Sequence, residues 1–296
     1  MLNDPQLSQE YKIRAITRDV NSAKSKQLKD VVDVVQGDVF DPESLKSALS
    51  GVHTVFIMNA PSFGPDGLET EFNSVKAIAD TALEKSVKYI IFSTLPPIAE
   101  ISGGKYTRVT PFDAKAKAEQ YIRSLPIKSA FICPGSFMEN FLSEAQAFLA
   151  PRKAPDGTWV FSRHNSPESR LPLIDAVGDT GKFVGAILAE PDKYEGKSFY
   201  AATALYSLEE IAAILSKATG QTFVYKQISV EDFQKGLPFD DETFIGIFVD
   251  YFSYVEDFGY YGGTDAAKKI SWAVENARGK VSTLEEFLVA HPLRLE

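Results

Sequence analysis

The segment 52–93 is the clearest indication of the fold class: VHTVFIM (Val52–Met58) is followed by LETEFNSVKAIADTALEKS (Leu68–Ser86) and then by KYIIFS (Lys88–Ser93). The first and last runs are short, rich in β-branched residues and apolar almost throughout, as expected of strands that are covered on both faces. The middle run repeats apolar residues at the spacing of a buried helix stripe. A strand, a helix and a second strand in this order predict a parallel α/β sheet with right-handed crossovers.

The same alternation continues on both sides of this segment. One further helix begins at Asp41-Pro42-Glu43, where an N-cap, a proline and an acidic residue stand together, and it ends at Gly51. The remaining predicted elements are strands at Tyr11–Thr17, Val31–Gln36 and Lys128–Pro134, and a helix at Phe112–Ser124. Residues 1–150 are therefore predicted to form one α/β domain.

The pattern changes in residues 151–296, where Pro151, Pro155, Gly157 and Pro167 separate short strands. The predicted elements are strands at Thr158–Ser162, Arg170–Ile174, Ser198–Ala202 and Thr222–Gln227, helices at Gly178–Ala189 and Ser207–Thr219, and three more helical segments up to Leu293. This composition predicts a smaller α+β C-terminal lobe. We expect it to lie on the carboxyl edge of the sheet as a substrate or partner lobe, because ligands of open α/β sheets bind there.

Composition excludes several functional classes. The 296 residues include 31 basic and 40 acidic side chains, a net charge of −9, which lacks the basic footprint of direct nucleic-acid binding. Cys133 is the single cysteine, so no internal disulfide can form, and a reducing compartment, cytoplasmic or nuclear, is expected. The sequence also has no apolar stretch long enough for a membrane span and too few clustered Cys and His residues for a structural metal site.

A dinucleotide-binding sheet should begin with a strand, a glycine-rich turn and a helix whose amino terminus holds the pyrophosphate. No glycine spacing in this sequence follows a strand in that way. The interpretation is that the first strand and the turn are absent and that the natural protein has residues upstream of Met1. In the strand order 3-2-1-4-5-6, the Tyr11 and Val52 strands would then either pair directly or leave an open gap.

A series of motifs resembles the NmrA-like family of atypical short-chain dehydrogenases/reductases, which includes fungal nitrogen-regulation proteins and a human redox sensor. The motifs occur in the family's order: ITRD (Ile16–Asp19), QGDVFDPESL (Gln36–Leu45), FIMNAP (Phe56–Pro61), FSTLPP (Phe92–Pro97), FDAKAKAEQYIR (Phe112–Arg123), CPGSFMENFL (Cys133–Leu142) and LPLIDAVGDTGKFVGAIL (Leu171–Leu188). The resemblance implies a Rossmann-like NAD(P)-binding domain, with NADP(H) as cofactor and binding weakened or lost without the glycine turn.

The resemblance also implies which residues contact the cofactor. Arg18 matches the group that pairs with the 2′-phosphate, a task suited to a planar, permanently charged fork; the alternative is a strand-end arginine in solvent. Asp38 resembles an adenine-side contact, although a turn formed with Gly37 explains it equally well. The other matching positions are Lys24 (or, less favoured, Ser22) near the phosphate, Val39 near adenine, Asn59, Ala60 and Ser93 near the ribose and nicotinamide, and Asn140 beside the nicotinamide.

Lys115 matches the lysine of the family's FDxK pattern. It could hydrogen-bond the nicotinamide ribose or act as the catalytic general acid/base, or it could be a solvated helix lysine near Glu119. Pro111 stands where catalytic relatives have a tyrosine, four residues before the lysine. Tyr106 could replace it only through a fold-back of its loop.

Three functions follow from these residues. The first is a regulatory redox sensor that binds NAD(P) and changes its affinity for a protein partner, with a role in transcriptional regulation. The second is an NADPH-dependent reductase that uses Lys115 on an unidentified small molecule. The third is a scaffold for protein interaction that binds no cofactor. An aromatic stripe that includes Phe244, Phe248 and Tyr251 is interpreted as core in preference to a pocket wall.

Overall fold

The computed structural model describes residues 4–142, 150–293 and 295. The strands are β1 (Arg14–Thr17), β2 (Asp33–Gln36), β3 (Thr54–Ile57), β4 (Tyr89–Ser93), β5 (Lys128–Pro134), β6 (Ser136–Phe137), β7 (Arg152–Lys153), β8 (Trp159–Arg163), β9 (Arg170–Ile174), β10 (Ser198–Ala201), β11 (Ala204–Ser207) and β12 (Phe223–Gln227). The helices are α1 (Leu7–Glu10), α2 (Ala23–Leu28), α3 (Pro42–Leu49), α4 (Gly67–Glu84), α5 (Ile98–Ile101), α6 (Thr110–Ser124), α7 (Ala176–Ala189), α8 (Pro191–Tyr194), α9 (Leu208–Thr219), α10 (Val230–Gly236), α11 (Glu242–Phe258), α12 (Ala266–Glu275) and α13 (Leu284–Ala290), with a 3-10 turn at Met138–Phe141.

The major elements lie where the sequence predicts them. Strands β5 and β9 have the predicted bounds, and helix α3 begins after Asp41, whose carboxylate accepts a hydrogen bond from the Ser44 amide. The sequence analysis missed several short elements, among them α2, which has no apolar stripe, and β11, whose last residue also caps α9. It predicted three helical segments near the end of the chain, where the structure has the four helices α10 to α13. Elements of two to four residues are too short to show a hydrophobic period.

The first compact unit contains the residues up to Thr94 together with Ala114–Ile132 and Val184–Ser198. In this unit β5, β4 and β3 are neighbouring parallel strands of one sheet, in that order. Helices α3 and α4 and the later turns of α6 contribute Leu49, Val75 and Ile122 to a core against Ile90 and Phe131. The mixed α/β class with a parallel sheet is thereby confirmed.

Strands β1 and β2 form a separate two-stranded parallel sheet. Among the described residues β1 does not pair with β3, so of the two expected arrangements the direct pairing does not occur. Coverage on both faces, which the apolar run 52–58 predicts, is wrong for β3, where the Phe56 side chain is 38% exposed. It also does not hold for β1 and β2. Their side chains are exposed or half-buried, because a two-stranded sheet has too few neighbours to bury them, whereas Ile90, Ile91 and Phe92 of β4 are fully buried.

The second unit contains Leu95–Asp113, Cys133–Phe183 and the residues from Phe199 onward. It holds two three-stranded sheets, with orders β11-β9-β6 and β12-β8-β7. Cys133 is buried in its core, as expected of a small apolar residue. Helix α11 contributes Phe252, Tyr254 and Val255, all buried, so this part of the aromatic stripe packs as core.

The two units are discontinuous in sequence and do not follow a single cut at residue 150. The chain passes between them directly after β4 and then inside α6, β5, α7 and β10. The packing of a C-terminal lobe on the sheet edge stays a prediction. Over the described ranges, no helix is both long enough and apolar enough to cross a bilayer.

Candidate functional site

A buried ion pair lies at the centre of the candidate site, in the first unit. Glu71 belongs to the second turn of α4, and Lys115 belongs to α6. The Lys115 ammonium donates to Glu71 Oε1, and the two side chains are 9% and 1% exposed. Lys115 is therefore not a solvated helix lysine. Burying two charges is tolerated only when they are paired and hydrogen-bonded.

The Glu71 carboxylate accepts three hydrogen bonds. Besides the Lys115 ammonium, Oε1 accepts from Asn59 Nδ2 at 2.9 Å, and Oε2 accepts from the backbone amide of Ser62 at 3.2 Å. Asn59 and Ser62 lie in the loop that follows β3. The Glu71 carboxylate thus connects its own helix, α4, with α6 and with the loop that follows β3.

Asn59 presents a buried acceptor that has no donor. Its Nδ2 faces Glu71 Oε1 and, at 3.5 Å, the carbonyl of Ala60. Since both neighbours are acceptors, the amide orientation is determined. The Oδ1 atom is then left buried without a hydrogen-bond partner. Such an atom costs about 1–3 kcal/mol unless a ligand or water supplies a donor.

A second ion pair connects the same two helices in solvent. Lys117 and Glu69 lie 2.5 Å apart, and their side chains are 41% and 57% exposed. Exposed pairs of this kind contribute about 0–1 kcal/mol. The buried pair Lys115–Glu71, two positions away on each helix, should therefore contribute more to the stability of the fold than this exposed pair.

The stability of the fold is expected to depend on pH because of Asp113, which lies in the first turn of α6. Burial raises its pKa to about 6, against the opposing hydrogen bonds from the Ala99 and Ile98 amides. A carboxyl whose folded pKa exceeds its unfolded value of 3.8 makes the fold less stable as pH rises from about 4 to 6. We expect a loss of at most about 2 kcal/mol, reduced by partial exposure. Urea unfolding at pH 4 to 7 checks it: Asp113→Asn should flatten the profile, and an unchanged slope would contradict the assignment.

Arg18 directly follows β1, and its side chain is exposed. It makes no ion pair with any described residue, so the guanidinium is available to a ligand. Lys24 is also exposed, on α2. Ser22 is not available in the same way, because its hydroxyl caps α2 by accepting from the Ser25 amide at 3.2 Å and shares a hydrogen bond with the Ser25 hydroxyl.

Asp38 and Val39 follow β2, at the same sheet edge as Arg18, since β1 and β2 pair in register up to Thr17 and Gln36. Asp38 Oδ1 accepts a hydrogen bond from the Phe40 amide at 3.0 Å, so one oxygen of this carboxylate is engaged within its own turn. This turn leaves the Phe40 ring 72% exposed beside half-buried Val39. Phe40 was missed because its turn position gave no periodic signal.

Asn59, Ala60 and Ser93 share one edge of the other sheet, because β3 and β4 pair in register up to Ile57 and Phe92. Ala60 is exposed, and Ser93 is half-buried at the end of β4. Glu71 brings Asn59 and Lys115 together, because its carboxylate accepts a hydrogen bond from each of them. Asn140 belongs to the second unit, in the 3-10 turn, and its place beside a nicotinamide stays a prediction.

These residues can be tested for fit to a nicotinamide dinucleotide. Arg18 supplies an exposed fork for a phosphate, and Asn59 Oδ1 supplies an acceptor that lacks a donor, which a ribose hydroxyl or a carboxamide could provide. Fewer groups are available to bind the pyrophosphate, because in the described part of the chain no glycine-rich turn joins a strand to a helix at the carboxyl ends of these strands. The ends of the cofactor therefore fit better than its centre.

The family model described as the NmrA-like family matches residues 3–288. The chain belongs to the NmrA-like family. Two relatives are named NmrA-like family domain-containing oxidoreductases. One is lnaB of Aspergillus flavus, 30% identical over 230 residues (74% of this chain and 69% of the relative). The other is FrzB of a Cladobotryum species, 30% identical over 232 residues (74% and 69%).

Solved structures of NmrA-like and related proteins share the fold. The negative transcriptional regulator NmrA in complex with NADP has a TM-score of 0.76 at 21% identity, covering 93% of this chain and 85% of that one. The Citrobacter triphenylmethane reductase complexed with NADP(H) has a TM-score of 0.70 at 20% identity, covering 94% and 90%. The Rossmann-type fold of this NmrA-like chain is thus established.

Tyr106 is the candidate substitute, in this NmrA-like chain, for the tyrosine that catalytic relatives have four residues before the lysine. The Tyr106 hydroxyl donates to Asp257 at 2.6 Å in the second unit, next to Lys105. Tyr106 is 8% exposed, and burial is the main cause that raises its pKa. This hydroxyl is committed to Asp257.

Sequence reasoning missed Glu71 and Gly67. Glu71 lies next to Phe72 of the α4 stripe, and an acidic residue so close to a buried face is a signal that could have found it. Gly67 is the first residue of α4, where an added Cβ would lie 2.4 Å from the Ser62 carbonyl oxygen. The loop that carries Ser62 can approach α4 because position 67 has no side chain.

Proposed function

We propose that this chain is a regulatory redox sensor of the NmrA-like family that binds NADP(H) along the carboxyl ends of β1 to β4. Arg18 pairs with the 2′-phosphate, with Lys24 nearby, and Val39 and Asp38 lie against the adenine. Asn59, Ala60 and Ser93 contact the nicotinamide ribose. The bound cofactor supplies a hydride donor or acceptor. In the sensor its redox state changes the affinity for a protein partner.

The sensor role rests on the observation that both candidate proton donors already donate to carboxylates of the protein. The Lys115 ammonium is buried against Glu71, and the Tyr106 hydroxyl donates to Asp257. Carbonyl reduction needs a donor within hydrogen-bond reach of the substrate oxygen. Binding without turnover agrees better with side chains that are already paired.

A reductase is the second candidate function, favoured by the two 30% identical relatives that are named oxidoreductases. Only one of the three Lys115 donors is directed to Glu71, so the ammonium can also donate to a ribose hydroxyl or a substrate oxygen. Oxidation of NADPH in the presence of quinones, enones and aldehydes tests this function, with Lys115→Ala as the comparison.

We further infer that cofactor binding is weak in the absence of a glycine-rich turn. Backbone amides at a helix terminus provide much of the grip on a pyrophosphate, and Arg18 replaces only the contribution of a charged fork. The scaffold alternative corresponds to the limit in which NADPH does not bind at all.

Arg18→Ala tests the cofactor assignment by calorimetric titration. We expect the affinity for NADPH to fall about 10- to 100-fold, the loss of one charge-assisted contact, and the affinity for NADH to change less than about threefold. Lys12→Ala removes an exposed cation at the opposite end of β1 and should change neither. Equal losses for both cofactors would contradict the role of Arg18.

A further inference from the structure

We propose that Glu71 is a positioning residue that sets the Asn59 amide so that its carbonyl oxygen receives a hydroxyl or amide donor from the ligand. The inference rests on the proposed function, and it names the chemistry that the ligand must present at the end of β3. That chemistry is a hydrogen-bond donor, as in a nicotinamide ribose hydroxyl or a carboxamide NH2. A phosphate or carboxylate oxygen, which only accepts, does not meet this requirement.

Three hydrogen-bond donors surround the Glu71 carboxylate. Oε1 accepts from the Lys115 ammonium and from Asn59 Nδ2, and Oε2 accepts from the Ser62 amide. All three neighbours are donors, so an acceptor-only carboxylate suits the position. A glutamine there would turn an NH2 group toward at least one of these donors.

The orientation of the Asn59 amide follows from its two acceptor neighbours. Rotation of its amide by 180° would place Oδ1 against two acceptors, Glu71 Oε1 and the Ala60 carbonyl, and would lose the 2.9 Å hydrogen bond. The carboxylate therefore fixes which end of the amide remains for a ligand. That end is the buried Oδ1 without a partner.

Lys115 donates to the same Glu71 Oε1 atom as Asn59. The ammonium balances the charge of Glu71, which is almost completely buried. The Glu71 carboxylate can then accept the hydrogen bond from Asn59 Nδ2 without remaining an unpaired buried charge. Lys115, Glu71 and Asn59 form one positioning network, and Asn59 is the member that carries an unused acceptor.

Asn59→Leu and Glu71→Gln test the inference, with Glu69→Gln as the matched control at the exposed pair of the same helices. Calorimetry measures two ligands, NADPH and adenosine 2′,5′-bisphosphate, which keeps the phosphate end but lacks the nicotinamide ribose. We expect both site variants to lose at least about tenfold in NADPH affinity, the loss of one hydrogen bond to a buried group. Their affinity for the bisphosphate should not change, and Glu69→Gln should match wild type with both ligands.

The two ligands separate the possible failures. Unchanged NADPH affinity in Asn59→Leu would overturn the inference together with the ribose contact assigned to Asn59, and would leave NADP(H) binding through Arg18 intact. Equal losses for NADPH and the bisphosphate would also overturn it, since they would indicate a general structural defect. If Glu71→Gln does not fold, Asn59→Leu decides alone, because that variant keeps the ion pair. Failure of wild type to bind either ligand would overturn the proposed function together with this inference.

Discussion

Replacing Lys115 by Met should lower the free energy of unfolding by about 3–5 kcal/mol, the usual result of removing one partner of a buried ion pair. Met keeps most of the side-chain length, so the main change is electrostatic. Glu71, 1% exposed, would be left without its cation and still held among α4, α6 and the loop after β3. Urea unfolding followed by circular dichroism measures the change.

The control for this variant is Lys117→Met, which breaks the exposed pair with Glu69 on the same two helices. Its expected effect is less than about 1 kcal/mol. The double variant Lys115→Met/Glu71→Gln removes both charges and should recover much of the lost stability, because no buried charge then lacks a partner. Equal effects of the Lys115 and Lys117 variants would show that burial of the inner pair has no energetic consequence.

Replacing Gly67 by Ala should destabilise the protein by about 1–3 kcal/mol, the range for forcing a methyl group into packed structure. The added Cβ would lie 2.4 Å from the Ser62 carbonyl oxygen, a backbone atom that can move only with its loop. Movement of this loop would weaken the hydrogen bond from the Ser62 amide to Glu71. We therefore expect a lower melting temperature together with reduced NADPH affinity.

Gly181→Ala is the matched control for this substitution. Gly181 lies inside α7, and nothing is within 4 Å of the position that its Cβ would take. Alanine is favoured over glycine in a helix interior by about 0.5–1 kcal/mol. This variant should melt slightly higher than wild type, and a melting temperature of Gly67→Ala at or above wild type would contradict the steric argument.

Most of the first unit could be predicted because its signals are local. The run KYIIFS contains the strand Tyr89–Ser93, and Asp41-Pro42-Glu43 marks the start of α3. Burial of β1 and β2 could not be predicted in this way. An apolar run shows that a strand can be buried, but its neighbours in the sheet determine whether it is.

The candidate site was predicted only in part. Lys115 and Asn59 were identified separately, from the family resemblance, and no sequence spacing connects them. Glu71 connects them in space, 44 positions from Lys115 and 12 from Asn59 along the chain. Such a three-way contact depends on how α4 and α6 pack beside the sheet.

The α/β class, the family and the types of side chain at the ends of the strands could all be predicted, because they follow from short periodic runs and short motifs. Three features are visible in the folded chain alone: Lys115 is buried against Glu71, Asn59 keeps an acceptor without a donor, and Tyr106 donates to Asp257. The physical reason is that burial and pairing are properties of packed neighbours. Those neighbours come from segments tens of residues apart, whose contacts leave no periodic trace in the sequence.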